Sequence, residues 1–141
     1  MSTIQKLSVG MDIGSTTAKI AVTRGGKLLY ARYERHFSKV RTKILEMLRD
    51  AKDVLGSLPF TAALSGSAGL GLAKDAGIPF VQEVWATGEI VKKKEPDTAA
   101  VIELGGEDAK ILFFRGGTDE RMNGSCAGGT GAFIDQMATL L

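Results

Sequence analysis

One cysteine, one histidine and no apolar run long enough to cross a bilayer set the first limits on this 141-residue chain. A single cysteine excludes an internal disulfide. His36, beside Phe37, has no ligand-spaced partner near it; it reads as a surface or half-buried structural residue, not as a catalytic base. The N-terminus carries Ser2, Thr3, Gln5 and Lys6 where a secretory signal needs an apolar stretch, so a cytoplasmic location without a membrane partner is expected. An excess of one charge is missing too. The 18 basic and 16 acidic residues are interspersed, for a formal net charge of +2, and no basic stripe points to nucleic acid. Lys92, Lys93 and Lys94 read as the solvated end of a helix. What remains, 44% hydrophobic and 24% charged, is ordinary for a globular domain with a real core.

The lone cysteine, Cys126, sits in the run Met-Asn-Gly-Ser-Cys-Ala-Gly-Gly-Thr-Gly over 122–131, ahead of a helix expected from Ala132. Glycines strip the backbone bare and let N–H groups converge on an anion or cluster, and a helix N-terminus adds positive potential. A reactive or metal-binding thiolate is the leading reading; an unremarkable thiol beside a loop is the other.

Alternation predicts strands over 7–13, 18–23 and 27–35, with Gly14-Ser15-Thr16-Thr17 and Gly25-Gly26 as breaks. Helical spacing of Val40, Ile44, Leu45, Leu48 and Val54 predicts a helix from about Ser38 to Leu55, capped by Ser38 or Thr42. A strand over 61–65, a glycine-rich turn over 66–71 with a small helix, and an extended piece at 79–81 follow. The run 66–71 lacks the full spacing and the following acid of a dinucleotide fingerprint. A helix over 84–94 is ended by Pro96, and strands are expected over 99–104 and 109–114. Trp85 is expected to pack in the core, ahead of a partner-contact role.

The opening is partly repeated. Val-Gly-Met-Asp-Ile-Gly-Ser over 9–15 ends a buried strand with a carboxylate and a glycine, and Val-Ile-Glu-Leu-Gly-Gly-Glu-Asp over 101–108 does so again about ninety residues later. Loops of Gly, Ser and Thr offer donors to phosphate oxygens, while a strand-end carboxylate can hold hydrated Mg2+ or orient an attacking water. Two such loops facing each other would clamp a polyphosphate.

Together, G-M-D-I-G-S-T-T-A-K, I-E-L-G-G-E-D-A-K and N-G-S-C-A-G-G-T-G-A-F-I-D-Q-M-A resemble the ATPase activators of 2-hydroxyacyl-CoA dehydratases and the ATPase subunits of benzoyl-CoA reductases. The resemblance implies an α/β, ribonuclease-H-like fold of the actin, sugar-kinase and chaperone ATPase superfamily. It also implies a homodimer sharing one [4Fe-4S] cluster and driving a low-potential electron into a partner dehydratase or reductase at the expense of ATP. By the same resemblance, Asp12 and Glu103 are the loop acids that serve the metal and water. Gly14, Ser15, Thr16, Gly105 and Gly106 surround the phosphates of the Mg2+-bound nucleotide, and Cys126 is the first of two cluster ligands per subunit. The helix after Cys126 would point its N-terminus at the cluster. Lys19 and Lys110 follow their loops at similar offsets but are left outside the site as solvent-facing strand lysines.

Glu103 and Glu107 stand where the shorter members of that family have Asp and Gln, and an added negative charge next to phosphates opposes nucleotide binding unless a cation offsets it. Glu-Leu-Gly-Gly-Glu-Asp resembles very long, multidomain relatives instead. The 141 residues are therefore expected to be the N-terminal piece of a larger ATPase and inactive alone, with 1–97 as a first subdomain and 98–141 as the beginning of a second. A small-molecule kinase of the same superfamily and a nucleotide-sensing interaction domain are the rival readings.

Overall fold

The computed structural model describes residues 6–115, 119–122 and 130–140, and these divide into two compact units, Met1–Val81 and Gln82–Leu141.

In the first unit, β1 (Leu7–Ile13), β2 (Thr17–Arg24) and β3 (Lys27–Arg35) are joined by tight turns and followed by α1 (Val40–Leu55), β4 (Phe60–Ser65) and α2 (Gly69–Ala76). The sheet order is β3-β2-β1-β4, antiparallel except for the parallel β1–β4 pair that the α1 crossover makes possible. Period-2 alternation buries Leu7, Val9, Met11 and Ile13 of β1 with Ala18, Ile20 and Val22 of β2, and α1 closes this face with Ile44, Met47 and Ala51. Of the expected α1 stripe, Ile44 is buried and Val40 and Leu48 pack half-buried against the core. Leu45 and Val54 are exposed, because Met47 and Ala51 sit one helical turn from Ile44 and from each other and carry the buried line.

Neither Ser38 nor Thr42 caps α1. The N-cap is Lys39 without a side-chain cap, and Ser38, in the left-handed region at φ 62°, sends its N–H to the His36 ring instead. The glycine-rich run 66–71 is the turn from β4 into α2. Gly66 has φ 95° and lies so close to the Ile13 backbone that a Cβ would collide with it, while the Ala68 N–H donates to Ile13 O. The extended piece at 79–81 forms a parallel bridge from Phe80 to Leu64.

The second unit has α3 (Glu83–Lys94), an antiparallel sheet β5 (Ala100–Leu104), β6 (Ala109–Phe113) and β7 (Asp119–Met122), and α4 (Gly131–Leu140). β7 was not expected; its Asp-Glu-Arg-Met sequence is exposed at every position and shows no alternation. Leu112 is the one fully buried hydrophobic among the described residues of this unit. Trp85 is 62% exposed, against the expectation of core packing; α3 is buried at Gly88, which packs close to the Phe114 ring, and Trp85 lies off that line.

Candidate functional site

The two carboxylate-glycine loops are copies at the level of register. Asp12 pairs across the first hairpin with Lys19, and Glu103 pairs across the second with Lys110. Gly14 N–H donates to Thr17 O at 2.9 Å, and Gly105 N–H donates to Asp108 O at 2.8 Å. Positions 12 and 103, 14 and 105, 17 and 108, and 19 and 110 are all separated by 91 residues, so the same hydrogen bond closes both loops.

At the first loop, Lys19 Nζ donates to Asp12 Oδ2 at 2.7 Å and lies 5.4 Å from the Tyr33 ring centroid. Asp12 Oδ1 is buried and meets no hydrogen-bond donor among the described residues. A buried carboxylate oxygen left in that state costs free energy unless a cation or water takes it. Ser15 is exposed, and Gly14 and Thr16 are half-buried. His36 is 4% exposed; it is a buried support of this loop, beyond the surface or half-buried role expected of it, with its Nε2 3.0 Å from Gly14 O and its N–H donating to Thr16 O at 3.2 Å.

At the second loop, Glu103, Gly105 and Gly106 are half-buried and Glu107 is exposed. The Asp108 carboxylate folds over Gly105 so closely that a Cβ there would collide with it. Lys110 is buried, and its Nζ is bonded to Glu83 at the start of α3 and lies 3.6 Å from Asp108. Burial opposes the charged form of this lysine. The bond to Glu83 and the negative charges of Glu83, Asp108 and Glu103 outweigh burial and hold the ammonium above the ordinary lysine range. The backbone of this loop also carries a helix. Gly131 N–H donates to Gly105 O at 2.7 Å, and Ala132 N–H donates to Gly106 O at 3.2 Å. These donors come from the first turn of α4, where N–H groups have no partner within the helix.

Asp12, Gly14, Ser15 and Thr16 thus share one loop and Glu103, Gly105 and Gly106 another, whereas Cys126 lies outside the described residues. No group of three or more His, Cys, Asp or Glu suited to a metal ion occurs among the described residues. Sequence reasoning left the two lysines outside the site and could give Glu83 no role. Lys110 is buried and Lys19 half-buried; each sits opposite a loop acid and pairs with a carboxylate, a signal that was present in the shared offset from Asp12 and Glu103. A cavity of about 650 Å³ in the first unit is lined by apolar residues such as Leu48, Leu55 and Phe60, and it opens beside Leu7, at the other end of β1 from Asp12. Among the described residues no helix is long and apolar enough to cross a membrane.

No family model matches the sequence. The (R)-2-hydroxyglutaryl-CoA dehydratase activating ATPase of Acidaminococcus fermentans is 31% identical over 142 residues, covering 95% of this chain and 53% of the relative. Among solved structures, the activator of the 2-hydroxyisocaproyl-CoA dehydratase from Clostridium difficile with bound ADPNP superposes with a TM-score of 0.78 at 26% identity, over 95% of this chain and 52% of that one. Component A of the Acidaminococcus fermentans (R)-2-hydroxyglutaryl-CoA dehydratase gives 0.74 at 25% identity, over 96% and 54%. The chain spans about half the length of the curated relatives it matches. Its fold is the ribonuclease-H-like α/β fold of the ATPase superfamily, and along nearly all of its own length the chain is a homologue of the ATPase activators of 2-hydroxyacyl-CoA dehydratases.

Proposed function

We propose that this chain supplies the phosphate-binding loops of an ATPase that activates a 2-hydroxyacyl-CoA dehydratase or related reductase, acting in the cytoplasm as a homodimer. The observation that carries the reading is the repeated loop, in which one register, one closing hydrogen bond and one acid–lysine pairing recur 91 residues apart. The homologous activator with bound ADPNP supports nucleotide as the ligand.

In this reading the residues divide the work. Lys19 occupies Asp12 Oδ2 and leaves the buried Oδ1 to accept a hydrogen bond from a water or to face a hydrated cation. Gly14, its own N–H spent on Thr17 O, shapes a loop in which Ser15 and Thr16 present backbone and hydroxyl donors to phosphate oxygens; Gly105, its N–H spent on Asp108 O, does the same for the N–H of Gly106. Bound Mg2+ would supply charge neutralisation to the phosphates, and the orphaned Oδ1 fits that ion. Glu103 is the acid of the second loop, opposite Lys110, which is engaged by Glu83 and Asp108. The bonds from Gly131 and Ala132 to Gly105 and Gly106 tie α4 to the second loop, so a shift of that loop on nucleotide exchange would be handed to the helix behind Cys126.

A [4Fe-4S] cluster takes four thiolates, and this chain has one cysteine. Two copies supply two, so the 141 residues do not complete the cluster that the resemblance implies.

Calorimetric titration of the full-length protein with ADPNP and Mg2+, alongside Asp12→Asn, tests the ATPase reading. Saturable ADPNP binding by the wild type, with turnover of ATP measured separately and lost in the variant, is expected; absence of nucleotide binding overturns it. Anaerobic reconstitution with iron and sulfide, with Cys126→Ala as control, tests the cluster separately.

A further inference from the structure

The only histidine of the chain is bonded on both ring nitrogens, and the bonds fix its chemistry. Ser38 N–H donates to His36 Nδ1 at 3.1 Å, so Nδ1 carries a lone pair and Nε2 carries the hydrogen. Gly14 O, 3.0 Å from Nε2, can only accept, which agrees with that tautomer. The backbone is bent to make this possible. Phe37 and Ser38, at φ 46° and 62°, are the non-glycine residues with left-handed φ among those described, and the turn they form brings the Ser38 N–H round onto the ring of its second neighbour. Phe37 is 77% exposed, so the strained turn is not repaid by burying its side chain.

The consequence falls on the peptide between Gly14 and Ser15. No cis peptide occurs among the described residues, and in a trans peptide the C=O and the following N–H point in opposite directions. With Gly14 O drawn inward to a buried imidazole, the Ser15 N–H is turned outward to the mouth of the loop, where it meets no acceptor among the described residues. Glycine at 14 leaves this peptide free to rotate otherwise, and a rotated peptide would show its carbonyl oxygen to an incoming anion.

We propose that His36 is a positioning residue for phosphate binding, a strut that holds the Gly14–Ser15 peptide with its N–H facing the ligand. The proposal rests on the nucleotide reading above for the identity of that ligand. It is tested in the full-length protein with His36→Phe, which keeps a flat ring and removes the donor, and His36→Gln, whose amide nitrogen reaches the position of Nε2. Titration with ADPNP should show about a tenfold weaker Kd for H36F, recovery to within about threefold of wild type for H36Q, and the same helical circular dichroism for all three. Equal affinity in wild type and H36F overturns the proposal, as does equal loss in both variants.

Nitrogen-15 NMR of the imidazole, assigned by the resonance missing in H36Q, keeps the question open to decision if H36F does not fold. A protonated Nε2 and unprotonated Nδ1 at pH 7.5 is expected, and the opposite tautomer or an imidazolium overturns the proposal. If wild type binds no nucleotide, the ATPase reading fails by itself, and the tautomer together with slowed exchange of the Ser15 amide on adding inorganic phosphate then judges the strut; exchange unaffected by phosphate overturns it.

Discussion

Behind the first loop stand Leu7, Val9, Met11 and Ile13 of β1, all buried under α1, with β4 paired on the outer edge of that strand. Behind the second loop, Ile102 and Leu104 of β5 are 68% and 51% exposed, and β5 is an edge strand of its three-stranded sheet. Yet the loops close with the same bond at nearly the same length. Loop shape here follows from hairpin register, which is local, and not from the depth of the core beneath it. The lysines show where the copies part. Lys19 answers the acid opposite it, while Lys110, in the same register position, is taken by Glu83 and Asp108.

Met47→Ala empties a fully buried site in the first unit and should lower stability by about 3 kcal/mol, whereas Ile102→Ser in the second should stay within about 0.5 kcal/mol; chemical denaturation of the full-length protein measures both. Near-equal losses would show that β5 is covered in solution. Asp12→Asn should cut ATP hydrolysis by about a hundredfold with nucleotide affinity largely kept. If Glu103→Gln produces the same fall, the loops share the chemistry; if it leaves turnover intact, Asp12 carries it alone.

Smaller effects separate the lysines. Lys110→Met removes the buried partner of an ion pair and should cost about 2 kcal/mol, while Lys19→Met breaks a pair whose side chains are 35% and 38% exposed and should cost less than about 1 kcal/mol. The smallest difference is in pH. Because the folded protein holds Lys110 above its ordinary range, the stability this adds is complete below about pH 10.4, the unfolded lysine value, and is lost as pH rises through the folded value above it. Wild type should therefore lose stability more steeply than Lys110→Met between about pH 10 and 12, by thermal melts in the same buffers.

The hairpins were legible because their evidence is local. Alternation from Leu7 to Ile13 marks the first strand to the residue, Gly14 and Gly25-Gly26 mark the turns, and the third strand runs over Lys27–Arg35 as expected. β7 was illegible because Asp119–Met122 buries no side chain to leave a pattern. The α1 stripe was legible at Ile44, Val40 and Leu48 but not beyond, because Met47 and Ala51, a flexible and a small residue, carry the core where Leu45 and Val54 look more apolar. Within the candidate site, Asp12 and the loop glycines could be named from motif order. The roles of His36, Lys110 and Glu83 could not, since each depends on a partner 22 or 27 positions away that only the folded chain supplies.

The attachment of α4 to the second loop turns that helix into a clock. Amide exchange at Gly131 and Ala132 requires release of the Gly105 and Gly106 carbonyls, so the rate at which deuterium enters those two positions times the opening of the loop itself. The site could thus be followed from the helix, with no label, ligand or substitution placed in the loop.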